Sequence, residues 1–181
     1  MPQLSSTSAL DPETTALLVI DVQRGLFSRS TPIYQAQTLL QKINALIEKF
    51  RGAHALRVFI QHSNDKLLVK NTESWRFHPD LRVADDDIVI HKLHGDAFEE
   101  TELKQVLEGR GIETLVITGL VTHGCVKATC LGALELGYRV VMAQDAHSSY
   151  SKDAARLIEE WNRKLGEQGA RQCKAEEIVL S

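Results

Sequence analysis

The chain has 181 residues, 43% hydrophobic and 25% charged; at roughly 150 residues per domain this reads as one domain over 1–181, apolar enough for a core without disulfide staples. Lys and Arg number 21 against 24 Asp and Glu, a net charge of −3, so the chain offers no basic footprint for nucleic acid or an anionic membrane. No run approaches the roughly 18 apolar residues of a membrane span, Met1–Thr15 lacks both a basic n-region and an apolar h-region, and the three cysteines lack C-x-x-C spacing, which together point to a cytoplasmic protein without a zinc ribbon.

Ala16–Ile20 is a short, wholly apolar run ended by Asp21, the pattern of a strand covered on both faces. Leu39, Ile43, Leu46, Ile47 and Phe50 then form one helical stripe that ends near Gly52. Leu56–Ile60, Ile88–Ile90, Leu115–Ile117 and Val140–Met142 are further β-rich runs, separated by helical patterns at Phe98–Leu107 and Gly124–Leu136. Ala154, Leu157, Ile158, Trp161 and Leu165 form a last helical stripe, and Ile178–Leu180 suggests a closing strand. Alternation of this kind predicts a three-layer αβα fold with a mostly parallel, doubly wound sheet of about six strands. Residues 63–87 break the rhythm with little periodicity, and a connection of that length is expected to cover a site, the alternative being a surface excursion holding one helical turn. Within it, Asp85–Asp87 reads as a solvated approach to a strand.

In open α/β sheets the site lies beyond the carboxyl ends of the strands. Asp21 ends the first run, Lys92 follows the run Ile88–His91, and Cys125 lies six residues past Gly119. Singly, Asp21 reads as a turn cap, Lys92 as a solvated strand end and Cys125 as a small hydrophobe. Jointly they supply a base, a cation and a thiol at one rim. Thr122-His-Gly124 precedes a helical pattern, so Cys125 is expected in a first helical turn. There the unpaired N–H groups and Lys92 would draw the thiol below its ordinary pKa of about 8.5, with an alkylation midpoint below about pH 8. Other thiol and nucleotide chemistries fail on spacing: Leu131 stands where a C-x5-R loop needs arginine, and Thr114 where a dinucleotide loop after Gly109-Arg-Gly111 needs its third glycine.

These residues resemble those of the isochorismatase-like cysteine hydrolases, which include nicotinamidases and N-carbamoylsarcosine amidohydrolases. Ala16–Gln23 looks like the family's opening strand with its Asp-x-Gln. The stretch from Trp75 to Leu81 resembles Trp-x-x-His-Pro-x-Leu, and Lys92 with Phe98–Leu103 resembles the catalytic lysine and the helix entry after it. Gly119–Val126 resembles the nucleophile turn, and Gly137–Val141 with Asp145-Ala146 the strand beyond it. The resemblance implies Cys125 as nucleophile, Asp21 as proton acceptor and donor, and Lys92 as the cation between them. It further implies a cis peptide between Leu120 and Val121, an oxyanion hole made by the Val121 and Cys125 amides, and assembly as a homodimer or homotetramer. Trp75, His62 and Gln23 are candidate substrate-binding residues, with Trp75 either stacking on a planar substrate or pinning the long loop.

Nicotinamidases hold a metal through Asp-x-His after the second strand. Here the stretch reads His62-Ser63-Asn64, so no metal and no cofactor is expected. The implied activity is hydrolysis of a C–N bond in a small amide, carbamoyl or ureido compound through a thioester. The alternative is a catalytically silent relative that binds a ligand or assembles, against which the intact Asp21, Lys92 and Cys125 set speaks.

Overall fold

The computed structural model describes residues 8–181, so part of the Met1–Thr15 reading lies outside the described residues. The apolar runs become strands β1 (Thr15–Ile20), β2 (Leu56–His62), β3 (Ile88–Lys92), β4 (Thr114–Leu120) and β5 (Arg139–Ser148). A short sixth strand, β6, spans Arg171–Cys173. They form one all-parallel sheet in the order β3-β2-β1-β4-β5-β6. The order reverses between β1 and β4, so the crevice at their carboxyl ends is the topological switch point.

Every residue of β1 and β4 is buried, which is why these central strands read as unbroken apolar runs. Successive side chains of a strand point to opposite faces. Leu17 and Val19 therefore pack against Leu39, Ile43, Leu46 and Phe50 of helix α2, Ala36–Gly52, which follows a single turn α1, Arg24–Phe27. Ala16, Leu18 and Ile20 face the other layer, made of α3 (Leu103–Glu108), α4 (Lys127–Glu135) and α5 (Ala154–Glu167). Each fully buried leucine, isoleucine or valine among these stabilises the fold by about 1.5–3 kcal/mol relative to exposure.

Four expectations need correction. The helix read at Phe98–Leu107 begins only at Leu103: Asp96 accepts from the Phe98 N–H at 2.9 Å, the Thr101 hydroxyl donates to the Ala97 carbonyl at 2.6 Å, and Glu100 has φ 53°, so local side-chain bonds and a left-handed residue hold that segment in turns. Ile178–Leu180 is not a sheet strand. Ile178 is buried, but Leu180 makes only an isolated bridge to Leu10, while the sixth strand is the polar-looking Arg171–Cys173. Asp87 is not solvated: its side chain is fully buried and accepts from Arg57 Nε at 2.5 Å and Arg51 Nη2 at 3.2 Å. Lastly, α4 starts at Lys127 rather than Gly124.

The long connection from 63 to 87 holds one 3₁₀ turn, Glu73–Trp75. Gln23 ties it to the sheet, its Nε2 donating to the carbonyls of His62 at 2.9 Å and Trp75 at 2.7 Å while its Oε1 accepts from the His62 N–H at 2.9 Å. With no exposed surface at all, Gln23 is a clamp rather than a group offered to substrate.

Candidate active site

Asp21 leaves β1 with φ 52°, a left-handed conformation that aspartate tolerates better than most residues. Its N–H donates to the Ile60 carbonyl at 3.0 Å, and the residue is only 2% exposed. Across the switch point, Gly119 is paired with Ile20 and has φ 118°; a Cβ there would sit 2.1 Å from the Ile20 carbonyl oxygen. Only glycine permits that approach, which sets the nucleophile turn beside Asp21. The Leu120–Val121 peptide that follows is cis. Residues Thr122–Val126 form a π-turn, with Gly124 at φ −117° and ψ −112°.

Lys92, the last residue of β3, brings a wholly buried side chain into the same crevice. Its Nζ lies 3.2 Å from Asp21 Oδ2 and donates to Cys125 Sγ at 3.2 Å, to the His94 carbonyl at 2.9 Å and to His62 Nδ1 at 2.8 Å. A carboxylate oxygen of Asp21, a ring nitrogen of His62 and Cys125 Sγ all lie within 4.8 Å of one another. Asp21 Oδ1 is buried and has no hydrogen-bond partner among the described residues, a condition that ordinarily costs about 1–3 kcal/mol or more and therefore calls for a reason.

The electrostatics differ from the sequence expectation. Burial, above all, and then the Asp21 carboxylate push the Cys125 thiol up to about 12, more than Lys92 offsets. Cys125 itself lies in the π-turn immediately before α4, behind the non-helical Gly124. The site at rest thus holds a neutral thiol beside Asp21 and Lys92. Burial also raises Asp21 above the ordinary carboxylate range against the pull of Lys92, Cys125 and His62, which makes it a stronger base than a solvated aspartate.

The remaining candidates are distributed differently. His62 faces Lys92 directly. Trp75 stacks on His91, ring centroids 5.4 Å apart and planes 18° apart, and its indole N–H donates to Ser63 Oγ at 2.9 Å, so it pins the loop. Ser63, Asn64 and Val69 from that loop join Lys92, His94 and Glu100 around a cavity of about 490 Å³, large enough for a small organic molecule.

Sequence reasoning overlooked two contributors. The His94 carbonyl is a backbone group with no sequence signal. His147 is buried and spans from the nucleophile turn to α5, Nδ1 at 2.8 Å from Thr122 Oγ1 and Nε2 at 2.8 Å from Asn162 Oδ1. Because Asn162 Nδ2 donates to the Gln144 carbonyl at 2.8 Å, its Oδ1 is the acceptor, so His147 carries its proton on Nε2 and accepts from Thr122.

A thiol, a carboxylate and an ammonium gathered at the switch point of a parallel three-layer sheet mark an α/β enzyme site. The family profile described as the isochorismatase domain matches residues 15–163, and the chain belongs to the isochorismatase family. A streptothricin hydrolase of Streptomyces noursei is 34% identical over 142 residues, 77% of this chain and 51% of that protein. The chain thus spans about half the length of that relative. The ureidoacrylate amidohydrolase of Caulobacter vibrioides is 26% identical over 184 residues, covering 81% of this chain and 82% of that protein. A crystal structure of an isochorismatase family protein, 30% identical, superimposes with a TM-score of 0.84 over 89% of this chain and 98% of that one.

Proposed function

We propose that the protein is a cysteine-dependent hydrolase of C–N bonds in a small amide, carbamoyl or ureido compound. The observation that carries this reading is the buried Asp21 carboxylate, an oxygen of which lies within 4.8 Å of Cys125 Sγ, with Lys92 Nζ in contact with both residues. Similarity to a streptothricin hydrolase and a ureidoacrylate amidohydrolase supports it.

Cys125 gives its S–H proton to Asp21 as sulfur bonds to the substrate carbonyl carbon, so the thiolate forms only as it attacks. The carbonyl oxygen becomes an oxyanion within reach of the Val121 and Cys125 amides, donors of a kind individually worth about 3–4 kcal/mol in the transition state. As the oxyanion collapses the C–N bond breaks, and Asp21 protonates the departing nitrogen, leaving a thioester. Water then gives a proton to Asp21 and its oxygen to the acyl carbon; the C–S bond breaks and the proton returns to sulfur, releasing the acid. Lys92 balances the single negative charge wherever it resides, on Asp21 or on sulfur.

Asp21, His62 and Cys125 offer a donor set of a kind that could ligate a metal, but the Lys92 ammonium contacts an atom of each of them. A fixed cation among the donors opposes a second one, so this cluster does not fit a metal site. Amidase activity is therefore expected to survive dialysis against a chelator, and nicotinamide to be a poor substrate. Metal analysis and ammonia release before and after dialysis check this; one equivalent of metal per chain, with activity lost on its removal, would reverse the assignment. The substrate class is tested by screening small amides, carbamoyl compounds and ureas for ammonia or amine release, with Cys125→Ser as the blank.

A further inference from the structure

The ammonium of Lys92 has three N–H bonds and four acceptors around it. Two acceptors are neutral and close, His62 Nδ1 at 2.8 Å and the His94 carbonyl at 2.9 Å; two are the groups that exchange a proton, Asp21 Oδ2 and Cys125 Sγ, each at 3.2 Å. His62 arrives there by register. As the last residue of β2 it is paired with Lys92 in the parallel ladder, so the two side chains leave the sheet on one face. Resting on the hydrolase reading above, we propose that His62 is a positioning residue: its Nδ1 lone pair and the His94 carbonyl hold two ammonium protons of Lys92, leaving the third to follow the negative charge from Asp21 to Cys125.

The chemistry of the anchor matters. A lysine stem is long and flexible, and an unanchored ammonium would settle on the carboxylate and leave the sulfur. An anionic anchor would hold Lys92 but spend its charge, removing the stabilisation of the developing thiolate. A neutral imidazole holds the ammonium without neutralising it. To accept from Lys92, Nδ1 must carry no hydrogen, which puts the ring proton on Nε2.

The titratable and charged groups facing His62 are Lys92 on β3, Asp21 at the end of β1, His94 after β3 and Cys125 in the nucleophile turn. Burial first and then Lys92 lower the His62 pKa from the ordinary histidine value, outweighing Asp21 and the His94 backbone, which raise it. Protonation of His62 would turn the acceptor into a second cation against Lys92, so the anchor is lost in acid.

Two measurements test the anchor. In the ¹⁵N-histidine-labelled full-length protein without substrate, with the resonance assigned by its loss in His62→Asn, His62 is expected as the Nε2–H tautomer with an unprotonated Nδ1. Its midpoint should lie below that of a solvated histidine, and Lys92→Met should raise it. An Nδ1–H tautomer, or a midpoint unmoved by Lys92→Met, would overturn the proposal without touching the hydrolase reading. On a substrate that is turned over, His62→Leu should lower kcat about 10- to 100-fold with KM within about twofold, and His62→Asn, whose amide oxygen can replace Nδ1 as acceptor, should recover most of that loss. Unchanged kcat in His62→Leu would also overturn it. The expected tautomer and midpoint in a protein that hydrolyses no C–N bond would support the anchor and overturn the hydrolase reading instead.

Discussion

Asp21→Asn is expected to make Cys125 more reactive toward iodoacetamide while lowering turnover by about three orders of magnitude or more. The two effects have one origin. After burial, the Asp21 carboxylate is the largest influence holding the thiol protonated, and Lys92 alone pulls the other way. Removing the carboxylate while keeping Lys92 should therefore shift alkylation of Cys125 to lower pH. Turnover nevertheless requires a group that takes the thiol proton and delivers it to the leaving nitrogen, and an amide side chain does neither. An asparagine variant that keeps a tenth of the activity, or whose thiol alkylates with the wild-type pH profile, would show that another residue moves the protons. Cys130, wholly buried in α4, is the internal control for access in the same experiment.

Lys92→Met carries the largest expected effect on stability. With the ammonium gone, Asp21 keeps a carboxylate that is 2% exposed and already has one unpartnered oxygen. Leaving one partner of a buried ion pair typically costs about 3–5 kcal/mol. The loss should depend on pH in a stated direction. Burial already raises Asp21 in the folded protein, and removing Lys92 takes away the largest opposing influence, so the folded state then binds the proton more tightly than the unfolded chain. Stability of the variant should therefore rise as pH falls through the raised value. Denaturant midpoints at about pH 5 and pH 8 check the sign, and the double variant Asp21→Asn/Lys92→Met should recover much of the loss, because neither charge remains. Equal midpoints at both pH values would mean that the carboxylate finds another counter-ion.

The fold was legible in the sequence where burial is complete. β1 and β4 lie at the centre of the sheet with every residue covered, so composition alone exposes them, and α2 presents its stripe because one face meets the sheet and the other meets water. Legibility failed at the margins of the sheet. β6 is an edge strand of three residues, Arg171, Gln172 and Cys173, too short and too polar for a periodic signal, whereas Ile178 looked like strand because it is buried for another reason. Asp87 looked solvated because its partners, Arg51 and Arg57, lie some thirty residues earlier. In the site, strand-end position brought forward Asp21, Lys92 and Cys125 correctly as neighbours. The state of the thiol was misjudged, because it depends on burial and on the distance to one carboxylate, and neither is written in spacing.

A thioester on Cys125 is the covalent signature of the proposed reaction. The protein is mixed with a small amide, carbamoyl or ureido compound that it turns over, quenched in acid during turnover, and its intact and peptide masses measured. The predicted result is a fraction of chains heavier by the acyl group, with the added mass on the peptide that contains Cys125, and no adduct or turnover in Cys125→Ser. Undiminished hydrolysis by Cys125→Ser, or an acyl group carried on any other residue, would contradict it.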